Sequence, residues 1–160
     1  KMQKSTRRYL ILSFISLFSF AADQISKILV DLYMIPHQSI EVIGNFLRIT
    51  YVRNTGIVFG LFLDNQFVFW LVSALGVGVT FYILYYIYKR INEFSMLKLV
   101  AYGLIFGGAL GNSYDRLFRN FVIDFIDFNG IWTFIFNGAD AFINIAIILL
   151  LIDSYISEDK

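Results

Sequence analysis

Cysteine is absent from this 160-residue chain, histidine and proline occur once each, and only 16% of the residues are charged. The missing cysteines exclude a thiol nucleophile, a disulfide framework and any zinc site built from Cys or several His. Neither a metal nor a cofactor is called for. A soluble domain carries about 25% charge. So few charges, with 58% hydrophobic residues and a mean hydropathy of +0.68, rule out disorder and a soluble two-layer fold. Thirteen basic and twelve acidic residues leave a net charge of +1, with no basic excess for nucleic acid. What is abundant is aromatic: 19% Phe, Trp and Tyr suits helices that face lipid and end among headgroups.

The reading is therefore a membrane protein, all-α with a small β element, folded as a single integral membrane domain over 1–160. At roughly 20 apolar residues per crossing, four transmembrane helices are expected, at about 9–33, 65–88, 99–115 and 137–156. The second is uncharged from Asn65 to Tyr88, whereas the others contain or abut acids: Asp23 and Asp31, Asp115, then Asp140 and Asp153. The first span also fits a cleavable signal peptide ending at Ser19-Phe20-Ala21, but its apolar run continues through Ile25, Ile28, Leu29 and Val30 and favours a retained helix.

Lys1, Lys4, Arg7 and Arg8 precede the first span, and Lys89, Arg90 and Lys98 bracket the connection between the second and third. Basic flanks stay cytoplasmic, which places both termini inside and the other two connections outside. At 1.5 Å per residue Asp23 then lies about 21 Å along the first helix from Tyr9, in the outer half. Asp115 and Asp140 fall near the same face. The outer segment is expected to form a β-cradle over about 37–63, with a hairpin turning at Gly44-Asn45. That turn would pair Ile43 with Phe46, Val42 with Leu47 and Glu41 with Arg48. Gly103, Gly107 and Gly111 make a smooth stripe on the third span for close helix packing.

Ionisable groups in a span are costly and face a partner or a watery cavity. Asp23 and Lys27, at i and i+4, read as a neutralised pair, and Asn112, Asp115 and Arg116 as a second local cluster; both support a site more than they form one. His37 in the outer loop reads as solvated. Asp124, in the loop after the third span, and Asp140, opening the fourth, have no basic neighbour within a helical turn. Two carboxylates held together at low dielectric share one proton, which leaves a base to activate water and an acid to protonate the substrate. Asp127 competes for the role, and spacing alone leaves a proton or cation relay and a structural role open.

Five segments resemble one family, lipoprotein signal peptidase or signal peptidase II. They are Asp23-Gln24-Ile25-Ser26-Lys27, Asn54-Thr55-Gly56-Ile57-Val58-Phe59, the run from Gly107 through Gly108, Asn112 and Asp115 to Arg116, Val122-Ile123-Asp124-Phe125, and Phe136-Asn137-Gly138-Ala139-Asp140. They occur in order from the first helix to the last. The resemblance implies four transmembrane helices with an extracytoplasmic β-cradle in a bacterial plasma membrane, and Asp124 and Asp140 as catalytic dyad. Its implied substrate is a diacylglyceryl-modified prolipoprotein, cut before the lipidated cysteine, with membrane lipid as the other partner. Asp23, Lys27, Asn54, Gly56, Gly108, Asn112, Asp115, Arg116 and Asn137 become the supporting or substrate-binding set. Val58 and Gly138 depart from the family pattern, and Gly138 is expected to loosen the start of the fourth helix.

Two other classes compete. A proton-coupled transporter would bury acids, but would show repeated halves and polar groups at the midplane. A Ser26-Lys27 protease is disfavoured because adjacent helical residues point about 100° apart.

Overall fold

The computed structural model describes residues 2–55 and 65–158. Among them the chain runs α1 (Met2–Tyr33), β1 (Ser39–Ile43), β2 (Leu47–Asn54), α2 (Gln66–Arg90), α3 (Met96–Tyr114), a single π-helical turn (Asp115–Arg119), β3 (Val122–Phe128) and α4 (Gly138–Glu158). Gly56 and Val58 lie outside the described residues.

Local chemistry sets the helix ends. The Asn65 side chain accepts the Val68 N–H at 3.1 Å and starts α2, and Lys89 and Arg90 close it where the dipole favours cations. Ser95 does the same for α3, accepting the Lys98 N–H at 3.0 Å. The π turn stops at Asn120, whose φ of 64° is the left-handed conformation that asparagine tolerates. Ser19, Phe20 and Ala21 lie in the middle of continuous α1, with Ser19 fully buried, so the first span is one helix through the candidate cleavage point.

Among the described residues, three helical stretches are long and apolar enough to cross a membrane: Lys4–Tyr33, Gln66–Arg90 and Gly138–Ser157. The 19-residue α3 is not among them, because its glycines, Asn112 and Ser113 lower its hydropathy. It is instead the central helix, packed against α1, α2 and α4. The glycine stripe is packing, as its spacing predicts: a Cβ on Gly107 would overlap Ser19 Oγ and the Ser16 carbonyl, and one on Gly111 would overlap the Asp23 carboxylate. Ser16 Oγ donates to the Gly103 carbonyl at 3.1 Å across this contact. Large apolar side chains point outward from the bundle, among them Phe14, Leu17, Phe81, Ile148 and Leu151.

The β element is a three-stranded antiparallel sheet in the order β1-β2-β3. Glu41 does oppose Arg48, but a bulge between Glu41 and Ile43 shifts the rest, so that Ile43 pairs with Leu47 and the expected pairs Ile43–Phe46 and Val42–Leu47 do not form. The turn covers Gly44 to Phe46, with Gly44 at φ 48° and the Phe46 N–H donating to the Ile43 carbonyl. Arg48 turns away from Glu41 toward Asp127 on β3, at 3.0 Å. The third strand is the larger difference: Asp124 lies on β3 inside the sheet, not in a loop. Tyr51, Ile123 and Phe125 of the sheet pack with Val30 and Met34 of α1, which seats the sheet on the helices.

Candidate active site

Two elements end at the same point and bring the acids together. β3 carries Asp124 with Val122, Ile123 and Phe125, all buried, so its backbone cannot shift without losing the core. α4 begins at Asn137, whose Oδ1 accepts the Asp140 N–H at 3.1 Å while Asp140 Oδ2 accepts the Asn137 N–H at 3.3 Å. This reciprocal cap needs an amide or hydroxyl at the first position and a carboxylate three residues on. It fixes the Asp140 side chain at a helix N-terminus, where the backbone favours negative charge.

Two asparagines join the acids. Asn137 Nδ2 donates to Asp124 Oδ1 at 2.7 Å and to Asn112 Oδ1 at 3.1 Å, and Asn112 Nδ2 donates to Asp140 Oδ1 at 2.8 Å. Asn54, from β2, donates to Asp124 Oδ2 at 2.9 Å. Asp124 is only 4% exposed, and burial, with the Asp140 charge adding to it, pushes its carboxyl up to about 7 against the pull of the two amides.

Behind them lies a second, fully buried layer. Lys27 contacts Asp23 at 2.8 Å and Asp115 at 2.9 Å and donates to Asn112 Oδ1 at 3.1 Å. Asp23 Oδ1 accepts the Ala139 N–H at 2.8 Å, which ties the start of α4 to α1. Gly138 permits that approach, since a Cβ there would stand 3.3 Å from the Asp23 Cα. Gly108 does the same nearby, where a Cβ would meet the Ala139 carbonyl at 2.8 Å. Asp115 accepts the Ile123 N–H at 3.3 Å and pairs with Arg119, so it holds β3 one residue from Asp124.

Asp115 therefore takes Arg119 and Lys27 as partners, not its neighbour Arg116. Arg116 instead donates to the Asn112 carbonyl at 3.3 Å and lines the cavity in front of the acids. That cavity, about 560 Å³, has Asn54, Asn112, Arg116, Asp124 and Asp140 on one wall. The lining also includes the apolar side chains of Ile131, Trp132, Phe134, Ile135 and Phe136.

The family follows from comparison with known proteins. The model for signal peptidase (SPase) II matches residues 15–156. This chain belongs to that family. Lipoprotein signal peptidases from Fusobacterium nucleatum subsp. nucleatum and Clostridioides difficile are 40% and 39% identical to it, over 90% and 86% of this chain and 86% and 90% of theirs. One from Streptococcus agalactiae serotype V is 36% identical over 96% of this chain and 97% of its own. Two solved bacterial membrane enzymes share the fold, at TM-scores of 0.73 and 0.71 with 32% and 33% identity. They cover 94% and 92% of this chain, and 88% and 92% of their own. The family makes the chain a bacterial membrane protease, and no likeness supports the transporter reading.

The other candidates separate cleanly. Asp127 is held by Arg48 and by the Thr50 hydroxyl at 2.7 Å and does not line the cavity. Ser26 donates to its own helix at the Asp23 carbonyl, 2.7 Å away, while all three Lys27 hydrogens are taken elsewhere, so the Ser-Lys pair does not form. Sequence reasoning missed Gln24, which donates to Asp23 at 3.1 Å and accepts from Arg119 at 2.7 Å. It also missed the apolar lining from Ile131 to Phe136, a run of six residues of which five are aromatic or branched apolar, because their convergence on the acids shows only in the fold.

Proposed function

We propose that the chain is an intramembrane aspartyl endopeptidase that removes the signal peptide of a lipid-modified prolipoprotein, with Asp124 and Asp140 as its dyad. The carrying observation is the asparagine bridge, which holds two carboxylates of different surroundings on one cavity wall. One acid takes a proton from water as its oxygen attacks the scissile carbonyl, and the other gives its proton to the carbonyl oxygen. Collapse of the tetrahedral intermediate breaks the C–N bond, and the proton held by the base passes to the leaving amine. Asn54 and Arg116 stand on the same wall and offer donors to substrate carbonyls.

The apolar lining from Ile131 to Phe136 suits acyl chains, in keeping with a diacylglyceryl-modified substrate held in the leaflet. On this reading α3 is the third of four spans, and the basic residues before α1 and between α2 and α3 support cytoplasmic termini, with the sheet and dyad near the outer face. The test is cleavage by purified protein of a lipidated prolipoprotein and of its unlipidated form. Cleavage of the lipidated form alone is expected; equal cleavage of both removes the lipid from the proposal.

A further inference from the structure

Lys27 touches neither acid, yet its ammonium group decides which way the site's amides point. An ammonium has three N–H donors and no acceptor. Its three partners here are Asp23 Oδ2, Asp115 Oδ2 and Asn112 Oδ1. Asn112 must therefore turn its carbonyl to Lys27 and its NH₂ to Asp140 Oδ1. Asn137 is fixed from the other side, since its Oδ1 accepts the Asp140 N–H, and it presents its NH₂ to both Asn112 Oδ1 and Asp124 Oδ1. Both oxygens of Asp140 thus meet donors that cannot reverse, the Asn112 amide locked by Lys27 and the Asn137 backbone N–H. Asp124 also accepts two amides, from Asn137 and Asn54, but it is buried where Asp140 is part-exposed and so is the costlier of the two to ionise.

We propose that Lys27 is a positioning residue that, by locking the Asn112 amide, keeps Asp140 as the proton-free base and leaves the proton of the resting dyad on Asp124. The proposal rests on the dyad reading above. Without the Lys27 donor the Asn112 amide can reverse, and its carbonyl would then face Asp140 Oδ1. That contact is repulsive unless Asp140 takes a proton, which removes the base.

Loss of a positive charge would also favour protonation, so the test holds charge constant. Among the described residues the charged groups around the pair are Lys27 of α1 and Asp115 and Arg116 of the π turn, with Asp23 and Arg119 one layer out. Asp23→Asn/Lys27→Met removes one charge of each sign together with the donor, whereas Asp23→Asn alone keeps the donor. Relative to wild type, the charge-matched double variant should move the acid limb of the pH–rate profile up by about one unit and lower kcat about tenfold, with KM nearly unchanged, whereas Asp23→Asn should not raise the limb. Lys27→Arg, which also donates without accepting, should keep the wild-type limb.

A folded double variant with the wild-type limb overturns the proposal. Should it not fold, infrared difference spectra at about pH 6 decide. The protonated-carboxyl C=O stretch should be missing from Asp124→Asn and kept in Asp140→Asn; loss from Asp140→Asn alone overturns the assignment. Turnover by either dyad variant would instead sink the dyad reading itself, so the two failures are distinguishable.

Discussion

Asn137 and Asp140 cap each other: the Asn137 side chain accepts the Asp140 N–H, and the Asp140 carboxylate accepts the Asn137 N–H. One motif therefore starts a helix and aims a carboxylate, so the aim is as rigid as the helix. A substitution at either residue has two effects, on stability and on chemistry, and the predictions below are chosen to part them.

Asp124→Asn and Asp140→Asn should each reduce peptide cleavage at least about a thousandfold, because neither amide can exchange the proton. Both proteins should still insert. Asp140→Asn should melt lower, since Asn has one acceptor oxygen where Asp140 uses two, for the Asn137 N–H and the Asn112 amide.

Stability should depend on pH through Asp124. Its folded-state carboxyl stands near 7 against an ordinary 3.8, so the folded state binds the proton more tightly than the unfolded state. That contribution is full below about pH 4 and is lost as pH rises through 7. Asp124→Asn removes the titration, and its unfolding free energy relative to wild type should rise between pH 5 and pH 8, by on the order of a few kcal/mol, with its melting temperature moving the same way. A pH-independent difference would contradict the buried carboxyl.

Asp127→Asn should leave turnover within a few-fold of wild type, because Asp127 pairs with Arg48 and Thr50 away from the cavity. Its cost should appear as a loss of stability of about 1–3 kcal/mol, since Asp127 is buried and its carboxylate takes hydrogen bonds from Arg48 and Thr50. Abolished cleavage would move Asp127 into the dyad.

Glycines on neighbouring helices should respond oppositely. Gly107→Ala drives a methyl into Ser19 and the α1 backbone and should cost about 1–3 kcal/mol or prevent folding. Gly78→Ala meets nothing within 4 Å and should be neutral or stabilising by up to about 1 kcal/mol. Thermal melting in detergent reads both.

Orientation is testable on a chain with no native cysteine. A cysteine replacing exposed Asn45 in the β1–β2 turn should react with a membrane-impermeant thiol reagent in intact cells, and one replacing exposed Asn92 between α2 and α3 should not. The reverse pattern would invert the topology.

The helices were legible because lipid imposes one demand, a long uncharged run, and the sequence from Asn65 to Tyr88 meets it openly. β3 was not, although Val122-Ile123-Asp124-Phe125-Ile126-Asp127-Phe128 is rich in strand formers. Its buried face holds a carboxylate as well as apolar groups, so the simple alternation of a half-buried strand is broken. The bulge at Val42 was hidden for another reason: turn signals fix where a hairpin reverses but not whether one strand carries an extra residue. At the site, the acids and asparagines stood out as polar groups among apolar ones. Who bonds to whom did not, because Lys27 and Asn112 are 85 positions apart and only packing brings them together.

The bond from the Ala139 N–H to Asp23 joins positions 116 residues apart, the first helix to the last. In a chain made and inserted from its first helix onward, Asp23, Lys27 and Asp124 are synthesised before α4. Asp140 and its cap arrive only with that final segment. On the proposed dyad, a nascent chain that lacks α4 lacks Asp140 as well as the Asn137 that bonds Asp124, so cutting should wait for the docking of α4.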